Sequence, residues 1–257
     1  LLGTSVGVFS TREINGDSTI WKQEGANTVG NVVVDMIDYR AADGWIVLAT
    51  HGNGMYAANM KFETPEGIAS AAENVDFSII NSAQVFHISG ITPALSASCS
   101  ELSLAAVSHA KASGVKVTID INYRSRLWSA SDANKTLSKM CEFATLVICT
   151  REDAKDVFGI TGTSEEVIRE LSKKLQVEQM VLTDGAVGAV SLNNGQVKMT
   201  PSIKNDTIDR VGAGDAFAAG VISGLLDDDV DLGLSRGVAM AALKRGTYGD
   251  QLLTSMK

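Results

Sequence analysis

The stretch Ile208-Asp209-Arg210-Val211-Gly212-Ala213-Gly214-Asp215-Ala216-Phe217 decides how the C-terminal part of the chain folds. Two glycines bracket an alanine, an aspartate follows, and apolar residues then recur at helical spacing. This pattern predicts a tight turn that opens a helix, and the first backbone N–H groups of a helix have no partner within it. Such a helix start attracts anions.

Asp215 is the residue of this stretch that could carry chemistry. A capping aspartate normally precedes the first helical turn, whereas Asp215 is expected to lie inside that turn. We therefore interpret Asp215 as a general base beside an anion hole. The alternative is an ordinary loop-to-helix turn with a solvated aspartate.

The composition limits the class of protein. The 257 residues suit one large α/β domain or two smaller ones. A net charge of −8 with few basic clusters argues against nucleic-acid binding. No apolar run is long enough to span a membrane or opens the chain as a secretory signal. The three cysteines show no metal-type spacing, so we expect a buried thiol at Cys149 and a reducing, cytosolic environment.

Residues 1–61 differ in character from the rest of the chain, because they are rich in Gly, Thr, Asn and Val and poor in helix formers. Residues 2–10 resemble residues 48–57 at an offset of about 46 residues, which is in the range for one propeller blade. The segment resembles the last blade of large β-propellers from secreted bacterial repeat proteins, with 62–72 as a linker. The alternative is a small β-lid on the following domain. We interpret His51 as a turn residue rather than a metal ligand.

Residues 73–257 have a different rhythm, in which strands alternate with helices. Strands are predicted at 84–89, 115–120, 145–149 and 179–183, a hairpin around Asn193-Asn194-Gly195, and helices at 102–112, 137–143, 153–158, 165–175 and 231–244. This alternation predicts an α/β fold with a mostly parallel sheet, in which ligands bind at the carboxyl ends of the strands.

Polar side chains leave one of these strands on alternate positions. Asp120, Asn122 and Arg124 are two residues apart, so they project to the same side. An arginine at a strand end suits a planar anion such as a carboxylate. The alternative is a surface arginine that pairs with a nearby acid.

Two further strand ends carry candidate residues. Glu152 and Asp153 could hold Mg²⁺ through water, although an N-cap at Thr150 with acids in the first helical turn explains the same residues. The glycines of Thr183-Asp184-Gly185-Ala186-Val187-Gly188 allow a backbone to approach phosphate closely. A hairpin turn would have the same composition.

Residues 71–257 resemble the C-terminal part of a ribokinase-like (PfkB-type) carbohydrate kinase. The resemblance rests on residues 209–217, on the turn at 185–188 and on the terminal helix that ends Ala241-Ala242-Leu243-Lys244. Within that family, four phrases are similar to 2-keto-3-deoxygluconate kinases: residues 89–95, 120–128, 209–215 and 248–250.

The resemblance implies an ATP-dependent phosphorylation of a sugar acid, 2-keto-3-deoxygluconate, to its 6-phosphate. Asp215 would accept the proton of the primary hydroxyl, and backbone amides would stabilise the transferred phosphoryl group. The implied amides are those of Gly212, Ala213 and Gly214; the implied substrate residues are Asn122, Arg124, Asp209 and Asp250; and the implied nucleotide residues are Thr183, Gly185, Gly188 and Lys244. Mg²⁺ would come with ATP, near Glu152 and Asp153.

Two departures from the family pattern affect this expectation. The family's Asn-x-x-Glu motif is replaced by Thr150-Arg151-Glu152-Asp153, which implies a shifted or weaker metal contact. The family's N-terminal third and its lid are not recognisable, so we expect a chimeric or truncated chain with weak or absent turnover and modest ATP affinity. The alternatives are another PfkB-type sugar kinase, such as a fructokinase, and a non-catalytic propeller or binding module.

Overall fold

The computed structural model describes two parts of the chain to different extents. It describes residues 2–4, 7–10, 19–24, 34–40, 45–50, 54–59 and 75–249, with side chains at 19–23 and 75–249. The chain divides into two compact units, residues 1–68 and 69–257.

The first unit contains two antiparallel three-stranded sheets in its described residues. Their strands are β1 (Leu2–Thr4), β2 (Gly7–Ser10) and β3 (Lys22–Glu24) in one sheet, and β4 (Val34–Arg40), β5 (Trp45–Thr50) and β6 (Gly54–Asn59) in the other.

The propeller-blade expectation does not agree with these two sheets, since a blade is one four-stranded sheet. The similar segments 2–10 and 48–57 fall on the antiparallel pairs β1–β2 and β5–β6, which belong to different sheets. Their similarity therefore reflects two antiparallel strand pairs of the same kind. The predicted linker at 62–72 and His51 lie outside the described residues.

The second unit contains one six-stranded sheet. Its strands are β7 (Val85–Ser89), β8 (Lys116–Asp120), β9 (Leu146–Thr150), β10 (Gln179–Asp184), β11 (Gly188–Asn193) and β12 (Gln196–Pro201). The spatial order is β12-β11-β10-β9-β8-β7, in which β7 to β10 are parallel and the last two strands are antiparallel. The prediction of a mostly parallel sheet is confirmed.

Six α-helices cover both faces of this sheet in the part of the chain that the structure describes. They are α1 (Ala97–Ala112), α2 (Ala130–Cys141), α3 (Arg151–Phe158), α4 (Ser164–Leu175), α5 (Ala213–Leu226) and α6 (Val230–Arg245). On β9, Val147 and Cys149 join the core under α1 to α4, whereas Leu146 and Ile148 join the core under α5 and α6. Cys149 is buried, as predicted. None of the described helices is long and apolar enough to cross a membrane.

The main differences from the predicted elements lie at two helix starts. α1 begins at Ala97 rather than at 102, because the Ser96 hydroxyl accepts the N–H of Cys99 at 3.1 Å and caps a serine-rich turn that lacks apolar periodicity. α2 likewise begins after Ser129, whose hydroxyl caps it. The Asn193–Gly195 hairpin is confirmed, with positive φ at its two turn residues.

Glycines bring α5 and α6 into close contact. A Cβ on Gly220 would lie 2.5 Å from the backbone nitrogen of Gly237, and one on Gly224 would lie 2.2 Å from Gly233. These neighbours are backbone atoms, which cannot rotate away. The close approach of α5 and α6 therefore depends on these glycines.

We expect Gly220→Ala to lower the free energy of unfolding by about 3 kcal/mol, because the added methyl forces the two helices apart. Urea denaturation measures this change. Gly246→Ala is the matched control, since its Cβ would meet its nearest neighbour at an ordinary 3.4 Å. Equal destabilisation by the two substitutions would contradict this account of the helix contact.

Candidate active site

Two cavities open beside the start of α5. The larger is a cleft of about 620 Å³ at the carboxyl ends of β8 and β9. The smaller, of about 190 Å³, lies between the β10–β11 turn, α5 and α6. Gly214 lines both of them, so the glycine-rich helix start connects the two cavities.

The start of α5 has the geometry that its sequence predicts. Gly212 occupies the N-cap position with φ 77°, a left-handed conformation that favours glycine, and no side chain caps the helix. The N–H of Ala213 donates to the Arg210 carbonyl at 3.2 Å, so this predicted amide already has a partner. Asp215 lies in the first helical turn and lines the larger cleft. It therefore stands beside an uncapped, anion-attracting helix end.

The three predicted residues at and just after the end of β8 all line the larger cleft. Asn122 donates its amide to the Ser89 hydroxyl at 3.2 Å. Arg124 donates to the Tyr123 carbonyl at 3.2 Å and forms no ion pair with any residue that the structure describes. The alternative of a surface arginine paired with an acid is therefore not observed there. A positive side chain remains available in the cleft wall.

Two carboxyl groups of the cleft have raised pKa values. Burial, with the nearby charges of Asp153 and Asp215, raises the pKa of Asp120 to about 7 against the opposing effect of Arg124. Burial also raises the pKa of Asp153, although a hydrogen bond with Thr150 opposes it. A cation in the cleft would relieve this accumulation of negative charge.

The metal prediction and its alternative involve the same residues. The Thr150 hydroxyl accepts the N–H of Asp153 at 2.9 Å, so the N-cap is confirmed, and both Glu152 and Asp153 line the cleft. The described residues hold no group of three or more His, Cys, Asp or Glu suited to a metal ion. A nucleotide-bound Mg²⁺ needs only one or two protein carboxylates, and Glu152 and Asp153 in the cleft wall fit that requirement. Metal binding by Glu152 and Asp153 stays a prediction.

We expect Asp120→Asn to stabilise the metal-free protein more at pH 7.5 than at pH 5. In the wild type, the folded state keeps a proton that the unfolded state releases above about pH 4, so stability falls as the pH rises toward the folded pKa of about 7. The variant has no such titration, and its advantage should grow by roughly 2 kcal/mol over this interval. Melting temperatures recorded with EDTA at both pH values measure the effect; a constant difference would contradict it.

The smaller cavity contains three of the four predicted nucleotide residues. Thr183, Gly185 and Gly188 line it, whereas Lys244 is fully buried and does not. Arg245 lines the cavity instead. The other lining residues are Ala189, Ser202, Ala213, Gly214, Phe217, Val238 and Ala241. Apolar walls with a few polar groups suit a flat heterocyclic ligand.

The cavity-lining residues of α6 follow helical spacing. Val238, Ala241 and Arg245 lie three and four residues apart, so they share one helix face. Lys244 also lies three residues after Ala241, so helical spacing alone could not decide between Lys244 and Arg245. Five further residues line the larger cleft and were not predicted from the sequence: Tyr123, Ser125, Asp156, Arg210 and Val211.

Asp209, predicted to bind substrate, lines neither cavity. Its two carboxylate oxygens accept the N–H groups of Val211 at 3.0 Å and Gly249 at 3.1 Å. The side chain therefore joins the loop before α5 to the segment after α6. Asp250, the other predicted substrate residue at this end of the chain, lies outside the described residues.

A small polar network holds the β10–β11 turn. Asp184 accepts hydrogen bonds from the Ser164 hydroxyl at 2.7 Å and from Arg151 at 2.8 Å. Burial would raise the pKa of Asp184, but these two partners outweigh it and lower the pKa. The network fixes the turn that carries Gly185 against the N-terminal ends of α3 and α4.

The fold and the two cavities define an α/β protein whose candidate binding site lies at the carboxyl edge of a mostly parallel sheet, beside an open helix start. A sequence model described as "pfkB family carbohydrate kinase" matches residues 53–256. The match covers most of the chain, and the protein belongs to the pfkB family of carbohydrate kinases.

Individual relatives agree with this assignment. The chain is 35% identical to the 2-dehydro-3-deoxygalactonokinase of Haloferax volcanii, over 67% of this chain and 54% of the relative. It is 29% identical to the 2-dehydro-3-deoxygluconokinase of Thermoproteus tenax, over 88% of this chain and 73% of the relative. A crystal structure of 2-dehydro-3-deoxygluconokinase from Thermotoga maritima matches with TM-score 0.65 and 26% identity, over 81% of this chain and 68% of that one. The fold is ribokinase-like.

These comparisons do not support the propeller-blade interpretation of residues 1–61 or its secreted origin. The family match begins at residue 53, inside the proposed blade. The second unit, residues 69–257, is less than three quarters of the chain, so the Thermoproteus alignment over 88% of the chain extends into the first unit. The chain spans about half the length of several curated relatives that it matches, with 54%, 53% and 49% of their lengths covered.

Proposed function

We propose that the protein transfers the γ-phosphoryl group of ATP to the primary hydroxyl of a sugar acid, with 2-keto-3-deoxygluconate as substrate and its 6-phosphate as product. The observation that carries this proposal is that Gly214 lines both cavities, with Asp215 in the wall of the larger one. Because the start of α5 lies between the two cavities, a phosphoryl group transferred there would pass from the smaller cavity into the larger cleft.

In this mechanism the smaller cavity holds the nucleotide. The phosphates extend along the turn that contains Gly185 and Gly188 toward the start of α5. The partial positive charge of that helix end and the backbone N–H groups of Gly212 and Gly214 stabilise the charge on the transferred group. Glu152 and Asp153 would hold Mg²⁺, which would supply charge neutralisation at the phosphates.

The larger cleft holds the sugar acid. Asp215 accepts the proton of the attacking hydroxyl, and Asn122 borders the sugar. Arg124 pairs with the substrate carboxylate, because its guanidinium has no ion-pair partner among the described residues and matches a planar anion. An unpaired arginine in the cleft favours an acid over a neutral sugar.

A neutral sugar such as fructose is the second candidate, because other relatives of the chain are named fructokinases, in Arabidopsis thaliana and Zea mays. The two candidates differ in whether a carboxylate is needed opposite Arg124. A fructokinase would not need a side chain that pairs with a carboxylate at this position.

The proposal is tested with the purified 257-residue chain, ATP and Mg²⁺, by coupled measurement of ADP release. We expect slow but measurable turnover with 2-keto-3-deoxygluconate, and less with fructose at equal concentration. Calorimetric titration with ATP measures nucleotide binding separately from turnover. Nucleotide binding without turnover on either sugar would contradict the proposed activity, and faster turnover of fructose would favour the second candidate.

A further inference from the structure

Lys244 is a lysine with a fully buried side chain near the C-terminal end of α6. Its Nζ donates to the Thr247 carbonyl at 3.3 Å, and the Thr247 hydroxyl donates to the Lys244 carbonyl at 2.9 Å. A buried ammonium group is unfavourable unless nearby negative groups compensate it. The surroundings of Lys244 should therefore contain the negative charge that keeps this ammonium inside the protein.

Asp209 is the carboxylate whose charge interacts with Lys244, although no ion pair joins the two among the described residues. The hydrogen bond from the Val211 N–H is the main cause that lowers the pKa of Asp209, the Gly249 N–H adds to it, and the charge of Lys244 acts in the same direction. The C-terminal end of α6 also carries partial negative charge from its carbonyl groups. Without a cation, Asp209 would be repelled from this helix end.

The loop before α5 is attached to the same end of α6. The Arg245 carbonyl accepts the N–H groups of Ile208 at 2.7 Å and Asp209 at 3.2 Å. Asp209 in turn holds the N–H of Val211, the residue directly before Gly212. The orientation of the α5 start therefore depends on Asp209. Gly249, which donates to the other oxygen of Asp209, lies two residues after Thr247, whose carbonyl Lys244 holds.

We propose that Lys244 is a positioning residue for the anion hole: its ammonium holds the Thr247 carbonyl, and with it the segment whose Gly249 N–H binds Asp209, and so fixes the loop that orients the N–H groups of Gly212 and Gly214. The inference rests on the proposed function, in which those groups bind the transferred phosphoryl. Lys244 acts through Asp209 and does not touch the nucleotide, because its side chain is fully buried.

Lys244→Met tests the proposal, since methionine keeps most of the side-chain length and removes the charge. We expect kcat to fall by about tenfold or more with the ATP dissociation constant unchanged, because the anion hole acts mainly on the transition state. Amide hydrogen exchange at Val211 and Gly249 should accelerate, since both N–H groups donate to Asp209. The matched control is Lys174→Met, whose ammonium also donates to a carbonyl, that of Phe158, away from both cavities.

A charge-specific rescue separates positioning from simple loss of packing. Lys244→Ala should regain kcat and exchange protection in methylammonium chloride, but not in equal concentrations of tetramethylammonium chloride, which is too large for the vacated space. The alanine variant gives the same comparison if the methionine variant does not fold.

Two outcomes would overturn the role of Lys244. One is unchanged exchange at Val211 and Gly249 in the folded Lys244→Met protein, and the other is equal recovery of the alanine variant with both ammonium ions. The exchange measurement needs no turnover. If the wild type fails to phosphorylate any sugar, the proposed function fails, and the exchange rates still decide whether Lys244 holds the loop.

Discussion

Asp215→Asn should lower kcat by about 10³-fold, which is within the range that a positioned general base contributes. Asparagine has nearly the same size but cannot accept the proton of the attacking hydroxyl. The residue lies on the exposed first turn of α5, so the substitution should leave the fold intact. ATP affinity should be retained, because nucleotide binding depends on the neighbouring cavity. Turnover and calorimetric ATP titration on the same preparation measure both quantities.

Asp132→Asn is the matched control for this experiment. Asp132 also lies in the first turn of a helix, α2, and lines neither cavity. Its substitution should leave turnover near the wild-type value. Comparable losses of turnover in the two variants, or full activity of Asp215→Asn, would show that Asp215 has no role as a general base.

Arg124→Ala should lower kcat/KM for 2-keto-3-deoxygluconate by about 100-fold, because a charge-assisted, bidentate contact with the substrate carboxylate is lost. The same substitution should change kcat/KM for fructose little, since a neutral sugar offers no carboxylate. The measurement is the ratio of kcat/KM values for the two substrates in wild type and variant.

The control for this prediction is Arg126→Ala, two residues further along the same exposed loop and outside the cleft lining. It should preserve the preference for the acid. Equal losses on both sugars in Arg124→Ala would mean that the arginine supports the loop rather than selects a carboxylate.

The sequence predicted most of the second unit because its elements follow simple periods. Continuous apolar runs such as that of β9 mark strands with two covered faces, and the helices between them carry apolar stripes. The candidate site residues were predicted where they directly follow a strand. Prediction of Asp120, Asn122 and Arg124 required only the rule that parallel strands bring their carboxyl ends to one edge of the sheet.

Residues far from a strand end were harder to predict. Whether Lys244 or Arg245 lines the smaller cavity depends on the rotation of α6 against α5, which close glycine contacts set. Asp209 belongs to the motif, but its hydrogen bond to Gly249 joins residues 40 positions apart. Such long-range contacts have no local pattern in one sequence.

The first unit was misinterpreted for a related reason. Short antiparallel strands joined by glycine-rich turns look alike in many β architectures, and residues 2–10 and 48–57 share only this local pattern. How many strands join a sheet is a tertiary property. The family match begins at residue 53, inside the proposed blade, and gives the blade no support.

In the proposed mechanism, a phosphoryl group passes from the smaller cavity into the larger cleft at the start of α5. The most direct test is to incubate the chain with ATP, Mg²⁺ and 2-keto-3-deoxygluconate and to identify the products by ³¹P NMR and mass spectrometry, with Asp215→Asn in parallel. Our account predicts equimolar ADP and a keto acid phosphorylated on its primary hydroxyl, and essentially no product from the variant. ADP with inorganic phosphate as the only products, or equal sugar phosphate from both proteins, would contradict it.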